Sequence, residues 1–257
     1  VPRLNRSAEA AAAAPARPAK PAKPARPARP AKVTRIVAAG RLRVATILPI
    51  LKRTYPQARC SLDYRNPLQL LVATILSAQC TDERVNKVTP ALFAKYRTAA
   101  AYAAADPAEL ERHIASTGFF RSKTRSLRAM AAAIVERHGG TVPRTMESLT
   151  QLAGVGRKTA NVVLGNAFDT NVGVVVDTHV GRLSQRLGLT KEGDPVKIEQ
   201  DLMQEVPQDQ WALWSHLLIF HGRSICTARK PACERCPLLE QCPSGKIFIK
   251  SGQSRGE

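Results

Sequence analysis

The sequence predicts an all-α protein, on three observations. Helix-start pairs recur along the chain: Asn66-Pro67, Asp106-Pro107 and Asp194-Pro195 each supply an N-cap side chain followed by a proline preset for the first helical position. Apolar residues return at helical spacing in several windows. Only Val172 to Val176 has the β-branched look of a strand, and one lone strand cannot build a sheet.

The chain opens on a segment of a different kind. From Pro15 to Lys32 it reads PARPAKPAKPARPARPAK, with a proline every third residue. Each proline removes a backbone donor and restricts its neighbour, so residues 1–38 are expected to form a disordered, extended arm with a cation every ~9 Å at ~3.1 Å per residue. The arm suits a tether to a polyanion; an inert solvated leader is the alternative. From about Arg41 the composition becomes that of a packed domain. Asn66-Pro67 opens LQLLVATILSAQ. Ser122 leads into a helix with Leu127, Met130, Ala131, Ile134 and Val135 on one face, stopped by Gly139-Gly140. Thr145 starts a short helix. Trp211, Trp214, Leu217 and Leu218 form a further stripe before His221-Gly222, and such stripes belong to a core.

Charge points to the partner. The chain holds 39 Lys and Arg against 20 Asp and Glu, a formal net charge of +19, which favours a polyanion and nucleic acid first. Residues 1 to 35 contribute nine basic residues and one acidic one, so more than half of the excess lies on the body of the protein. Anionic membrane is a poorer partner: the arm has no bulky apolar face to insert, and no apolar run is long enough to span a bilayer. With no apolar signal segment before the domain, a cytoplasmic protein with reduced cysteines is expected.

Four of those cysteines crowd into 17 residues. Cys226, Cys233, Cys236 and Cys242 make a C-x6-C-x2-C-x5-C run that reads as one closed four-thiolate metal site. Zinc and a [4Fe-4S] cluster both accept tetrahedral sulfur. Zinc ribbons usually present two C-x2-C knuckles, whereas this run has one, flanked by loops of six and five. The spacing therefore favours a cluster over zinc, and either over two disulfides. Cys60 and Cys80 read as ordinary thiols.

Within the helical body, Leu152-Ala153-Gly154-Val155-Gly156-Arg157-Lys158 is the most informative local motif. Two glycines one residue apart predict a sharp turn between a short helix from Thr145 and a second running to about Ala167. Outward backbone N–H groups at Gly154, Val155 and Gly156, the positive end of the second helix and Arg157 would hold a nucleic-acid phosphate without reading base sequence. A glycine turn alone is weak support; the flanking helices, the basic pair and the net charge strengthen it.

LxGVGRKTANVVL, then VVDTHVGRL, then the four-cysteine run resembles the endonuclease III family of helix-hairpin-helix DNA glycosylases with an iron-sulfur loop. The resemblance extends to LLVATILSAQCTDERVN, Thr117 to Leu127 and HGRSICTARKPACERCPL, and covers residues from about 41 to Cys242. It implies a two-lobed helical protein: a six-helix barrel with the hairpin over 60–170, and a [4Fe-4S] lobe built from 39–59 and 171–257. It implies a bifunctional glycosylase and abasic-site lyase of base excision repair, a monomer acting on double-stranded DNA with oxidised pyrimidines or abasic sites. Lys158 falls on the family's catalytic lysine, Asp177 on its catalytic aspartate, and Gln79 on the residue that fills the gap left by the flipped nucleotide. Phe119 stands where the family often has an aliphatic wedge, and Ala153 replaces the usual hairpin proline. An adenine-mismatch glycosylase and a non-catalytic metal-loop DNA-binding module are the alternatives.

Chemistry of the residues agrees with these roles. A lysine at a helix N-terminus is disfavoured as ammonium, but only by about 0.3 to 1 kcal/mol. Burial and neighbouring cations such as Arg157 are expected to supply the rest once DNA closes the site. A carboxylate at Asp177 would stabilise positive character on the sugar as the base leaves, although an N-cap for the helix to Leu187 explains an aspartate equally well. Gln79 could cap its helix or pair with the base left behind. Arg229 and Lys230, in a loop tied at both ends to the metal site, read as phosphate contacts.

Overall fold

A computed structural model describes residues 32–253. Most of the proline-periodic arm lies outside the described residues. The expected arm nevertheless ends too late: α1 (Lys32–Thr54) is already helical over residues 32–38. The proline run stops at Pro30, and KVTRIVAAGRLR after it contains no helix breaker but one glycine.

Seven helices surround the first core: α2 (Pro67–Leu76), α3 (Asp82–Lys95), α4 (Ala99–Ala103), α5 (Pro107–Ile114), α6 (Phe120–His138), α7 (Met146–Thr150) and α8 (Arg157–Ala167). Leu70, Leu71, Leu76, Leu127, Met130, Val163 and Leu164 are fully buried in it. The expected caps close with side-chain hydrogen bonds: Asn66 accepts from the Gln69 N–H, Asp106 from Glu109 and Thr145 from Ser148. Thr81 and Thr98 do the same for α3 and α4.

A second core joins α1 to the residues after Val172. Val44, Ile47 and Leu51 of α1 pack with α9 (Thr178–Arg186), α10 (Pro195–Glu205) and α11 (Trp211–Ser224), while α12 (Pro243–Lys250) flanks the cysteine region. Trp214 and Leu217 are fully buried there. The described residues thus start in one lobe, build the other, and return through Val172–Val176. That segment is no strand; it is an irregular crossing between the lobes in which Val174, Val175 and Val176 are buried. β-branched residues here serve burial in a two-sided environment. Among the described residues no helix is long and apolar enough to cross a membrane.

Candidate nucleic-acid cleft and metal centre

A cleft of about 990 Å3, part of it open to solvent, runs between the lobes. Thr74, Ala78 and Val162 wall it from the first core; Val175, Ser215 and Ile219 wall it from the second. It brings together Lys158, Asp177 and Gln79, which are 19 to 98 residues apart in sequence. Phe119, the hairpin glycines, Val155, Arg157, Arg229 and Lys230 are not among its walls.

Lys158 stands in the first turn of α8, after the N-cap Gly156, and is exposed. Asp177 is the N-cap of α9: its Oδ1 accepts from the His179 N–H at 2.9 Å and the Val180 N–H at 2.8 Å. Only this one oxygen caps. Oδ2 makes no hydrogen bond among the described residues, so capping and a charge presented to the cleft are compatible in one side chain. Arg223 and Asp82, an ion pair at 2.8 Å, close another wall. His216 also faces the cleft, with Nε2 2.7 Å from Asn166 Oδ1; burial pushes its pKa down to about 4, so the ring is neutral.

Gln79 does not cap α2, whose C-cap is Ser77. It is exposed and left-handed at φ 53°. Phe119 is likewise left-handed at φ 47° and 65% exposed, at the head of α6. A bulky residue held in this region carries strain, and such residues cluster where function requires them.

The hairpin corrects one expectation about its glycines. Gly154 is left-handed at φ 75° and makes the turn. Gly156 has φ −91° and ψ 177°, extended backbone open to any residue, and a Cβ there would meet nothing within 4 Å. Arg157 is also differently placed. Its guanidinium grips Glu199 of α10, Nε to Oε2 at 2.7 Å and Nη2 to Oε1 at 3.0 Å, because Glu199 is buried and needs a counter-charge.

The four cysteines of the run line one cavity with about 400 Å3 of space between atoms, walled otherwise by Leu183, Leu187, Ile225, Leu238 and Phe248. None of the four is in a disulfide among the described residues. Among the described residues, no three His, Cys, Asp or Glu side chains converge as one ion requires. Four cysteine sulfurs on one cavity wall are the donor set that a [4Fe-4S] cluster requires. Donors already point at the sulfurs: Arg186 Nη1 to Cys226 at 3.2 Å, the Gly245 N–H to Cys242 at 3.3 Å, and His221 Nε2 to Cys236 at 3.4 Å. The Tyr55 hydroxyl lies 2.9 Å from His221 Nδ1, and burial drives His221 to about 4, so a neutral ring can accept there and donate to sulfur. Burial pushes Cys236 up to about 12 without metal; bound cationic charge is what would hold it as thiolate.

Arg229 and Lys230 are exposed on the loop between Cys226 and Cys233. Arg186 fixes that loop, donating to the Thr227 carbonyl at 2.8 Å and the Ala228 carbonyl at 2.7 Å. No sequence signal marks Arg186, 40 residues from its partners.

Known proteins share this arrangement. The HhH-GPD superfamily of base excision DNA repair proteins matches residues 72–208, and the iron-sulfur binding domain of endonuclease III matches residues 226–242. Endonuclease III of Synechocystis sp. is 58% identical over 212 residues, 82% of this chain and 97% of that protein. Endonuclease III of Bacillus subtilis is 45% identical, over 77% and 90%. Among solved structures, a non-covalent endonuclease III–DNA complex superposes with a TM-score of 0.77 at 43% identity, covering 82% of this chain and 98% of that one. A trapped covalent endonuclease III–DNA intermediate gives the same TM-score.

Proposed function

Because the chain belongs to the endonuclease III family, DNA glycosylases and abasic-site lyases of base excision repair with a [4Fe-4S] cluster, we propose that Lys158 and Asp177 carry its chemistry on oxidised pyrimidines in duplex DNA. The observation that carries this reading is the meeting of Lys158 and Asp177, from opposite lobes, in one cleft with Gln79. The relative trapped covalently on DNA supports a nucleophile of this kind.

The Lys158 amine, neutral when it reacts, donates its lone pair to C1′ of the deoxyribose while the glycosidic bond breaks and its pair leaves with the base. Ring opening gives a Schiff base, loss of a C2′ proton follows, and the C3′–O pair leaves with the 3′ phosphate. Asp177 faces the positive character that develops on the sugar. Since Lys158 is exposed and Arg157 is paired with Glu199, it is the closing of DNA over the cleft that favours the free amine. Gln79 and Phe119 enter the duplex as the nucleotide leaves it. Gly154, Val155 and Gly156 offer backbone N–H groups to one phosphate, and Arg229 with Lys230 meet others. Cys226, Cys233, Cys236 and Cys242 would hold the cluster, which supplies the fixed shape of that loop. The protein acts as a monomer in the cytoplasm.

The test pairs a substitution with a substrate panel. Asp177→Asn keeps the cap, because asparagine caps about as well as aspartate, yet it should slow single-turnover base release from an oxidised-pyrimidine duplex. Wild-type release would leave Asp177 as a cap only. Faster excision of an oxidised purine, or of adenine opposite guanine, would overturn the lesion class.

A further inference from the structure

A buried lysine joins the two loops that carry Gln79 and Phe119. Lys123, in the first turn of α6, is only 5% exposed. Its Nζ donates to the Leu76 carbonyl and to the Thr117 carbonyl, both at 2.8 Å. Leu76 is the last residue of α2, three before Gln79; Thr117 lies two before Phe119.

The arrangement costs stability as well as giving it. A buried ammonium is unfavourable unless its donors are satisfied. No carboxylate pairs with Lys123 among the described residues; two carbonyl dipoles accept two of its three donors, one at the negative end of α2. Burial lowers its pKa from the ordinary lysine value, with Cys80 acting the other way. An apolar side chain would fill the same space more cheaply. What only the amine can do is bind two separate stretches of backbone to one atom.

Those stretches lead into the left-handed residues at φ 53° and φ 47°. We propose that Lys123 is a positioning residue for base extrusion: by fastening Leu76 and Thr117 to a single Nζ, it holds Gln79 and Phe119 at a fixed separation so that both enter the duplex together. This rests on the reading that those two residues enter DNA. Lys123 itself touches neither substrate nor the reacting atoms.

The experiment compares two substrates that differ in whether a base pair must open. Lys123→Met should lower single-turnover base release from a lesion-bearing duplex by about tenfold or more, since ångström misplacement of positioning groups has effects of that order. Strand cleavage at an abasic site in single-stranded DNA, where nothing is extruded, should stay within about twofold. In a Gln79→Ala, Phe119→Ala background, adding Lys123→Met should cost the duplex reaction less than about threefold, because the residues act as one unit. Equal losses on both substrates, or no loss on either, would overturn the proposal. If Gln79→Ala with Phe119→Ala excises from duplex at the wild-type rate, the underlying reading has failed instead. Should Lys123→Met not fold, Lys123→Arg retains the charge and donors but alters the spacing, and must show the same split between substrates.

Discussion

Arg157 and Glu199 form a two-point ion pair between the first turn of α8 and α10, and so tie the helix that bears Lys158 to the opposite lobe. Asn161 Nδ2 adds a bond to Glu199 Oε1 at 2.8 Å. Gly173 lets the carboxylate in: a side chain there would collide with Glu199 and Asn161. Lys158 sits one residue from this anchor, which ties its helix to the lobe that carries Asp177.

The two partners are unequally buried, and their loss should differ. The Arg157 side chain is 45% exposed and Glu199 only 7%. Arg157→Met strands a buried carboxylate and should destabilise by about 1–3 kcal/mol. Glu199→Gln keeps an acceptor for Asn161 and lets Arg157 rehydrate, so it should cost about 1 kcal/mol or less. Urea midpoints of the two variants check the order; equal costs would mean that burial does not set it.

The hairpin glycines should also separate. Gly154→Ala forces a side chain into φ 75° against Ser126 and should lower stability by about 1 kcal/mol or more. Gly156→Thr places a competent N-cap in open space, so melting temperature should hold or rise. DNA affinity should nevertheless fall, as the new side chain stands where phosphate approaches. Calorimetry with DNA titration decides, and undiminished binding would remove Gly156 from the interface.

Acid titration should reveal a group unrelated to catalysis. Glu205 is buried beneath Gly40 of α1, its Oε2 without a hydrogen bond among the described residues, and burial raises its pKa to about 7; Asp201 adds to the rise and Arg43 opposes it. The folded state then binds more protons than the unfolded one between about pH 4.5 and 7, so this group makes stability fall as pH rises through that window. Glu205→Gln should remove that fall, gaining about 1–3 kcal/mol at pH 8 and little at pH 4. Parallel pH profiles for wild type and variant would contradict it.

Iron content gives a fourth check. Serine at Cys226, Cys233, Cys236 or Cys242 should abolish the brown colour and bound iron, and loosen the loop that Arg186 clamps. Serine at Cys60 or Cys80 should leave iron unchanged.

Local chemistry was legible in the sequence. Asn66, Asp106, Thr145 and Asp194 announce their helices because a cap needs only its own next three residues. The cysteine spacing and the hairpin are local too. Distant partners decide the rest: nothing near Arg157 foretells Glu199, 42 residues on, and nothing near Lys123 foretells Leu76. Val172–Val176 looks strand-like for a related reason, since burial between two lobes and burial in a sheet select the same side chains. The left-handed turn at Gln79 has no glycine or asparagine to mark it.

Borohydride trapping on a duplex with one abasic site tests the central claim most directly. Wild-type protein should give a covalent protein–DNA adduct, because reduction fixes the Schiff base to Lys158. Lys158→Gln keeps length and polarity without the amine; it should bind the same duplex, give no adduct and leave the strand uncut. A trapped adduct from Lys158→Gln would show that another amine is the nucleophile and contradict the account.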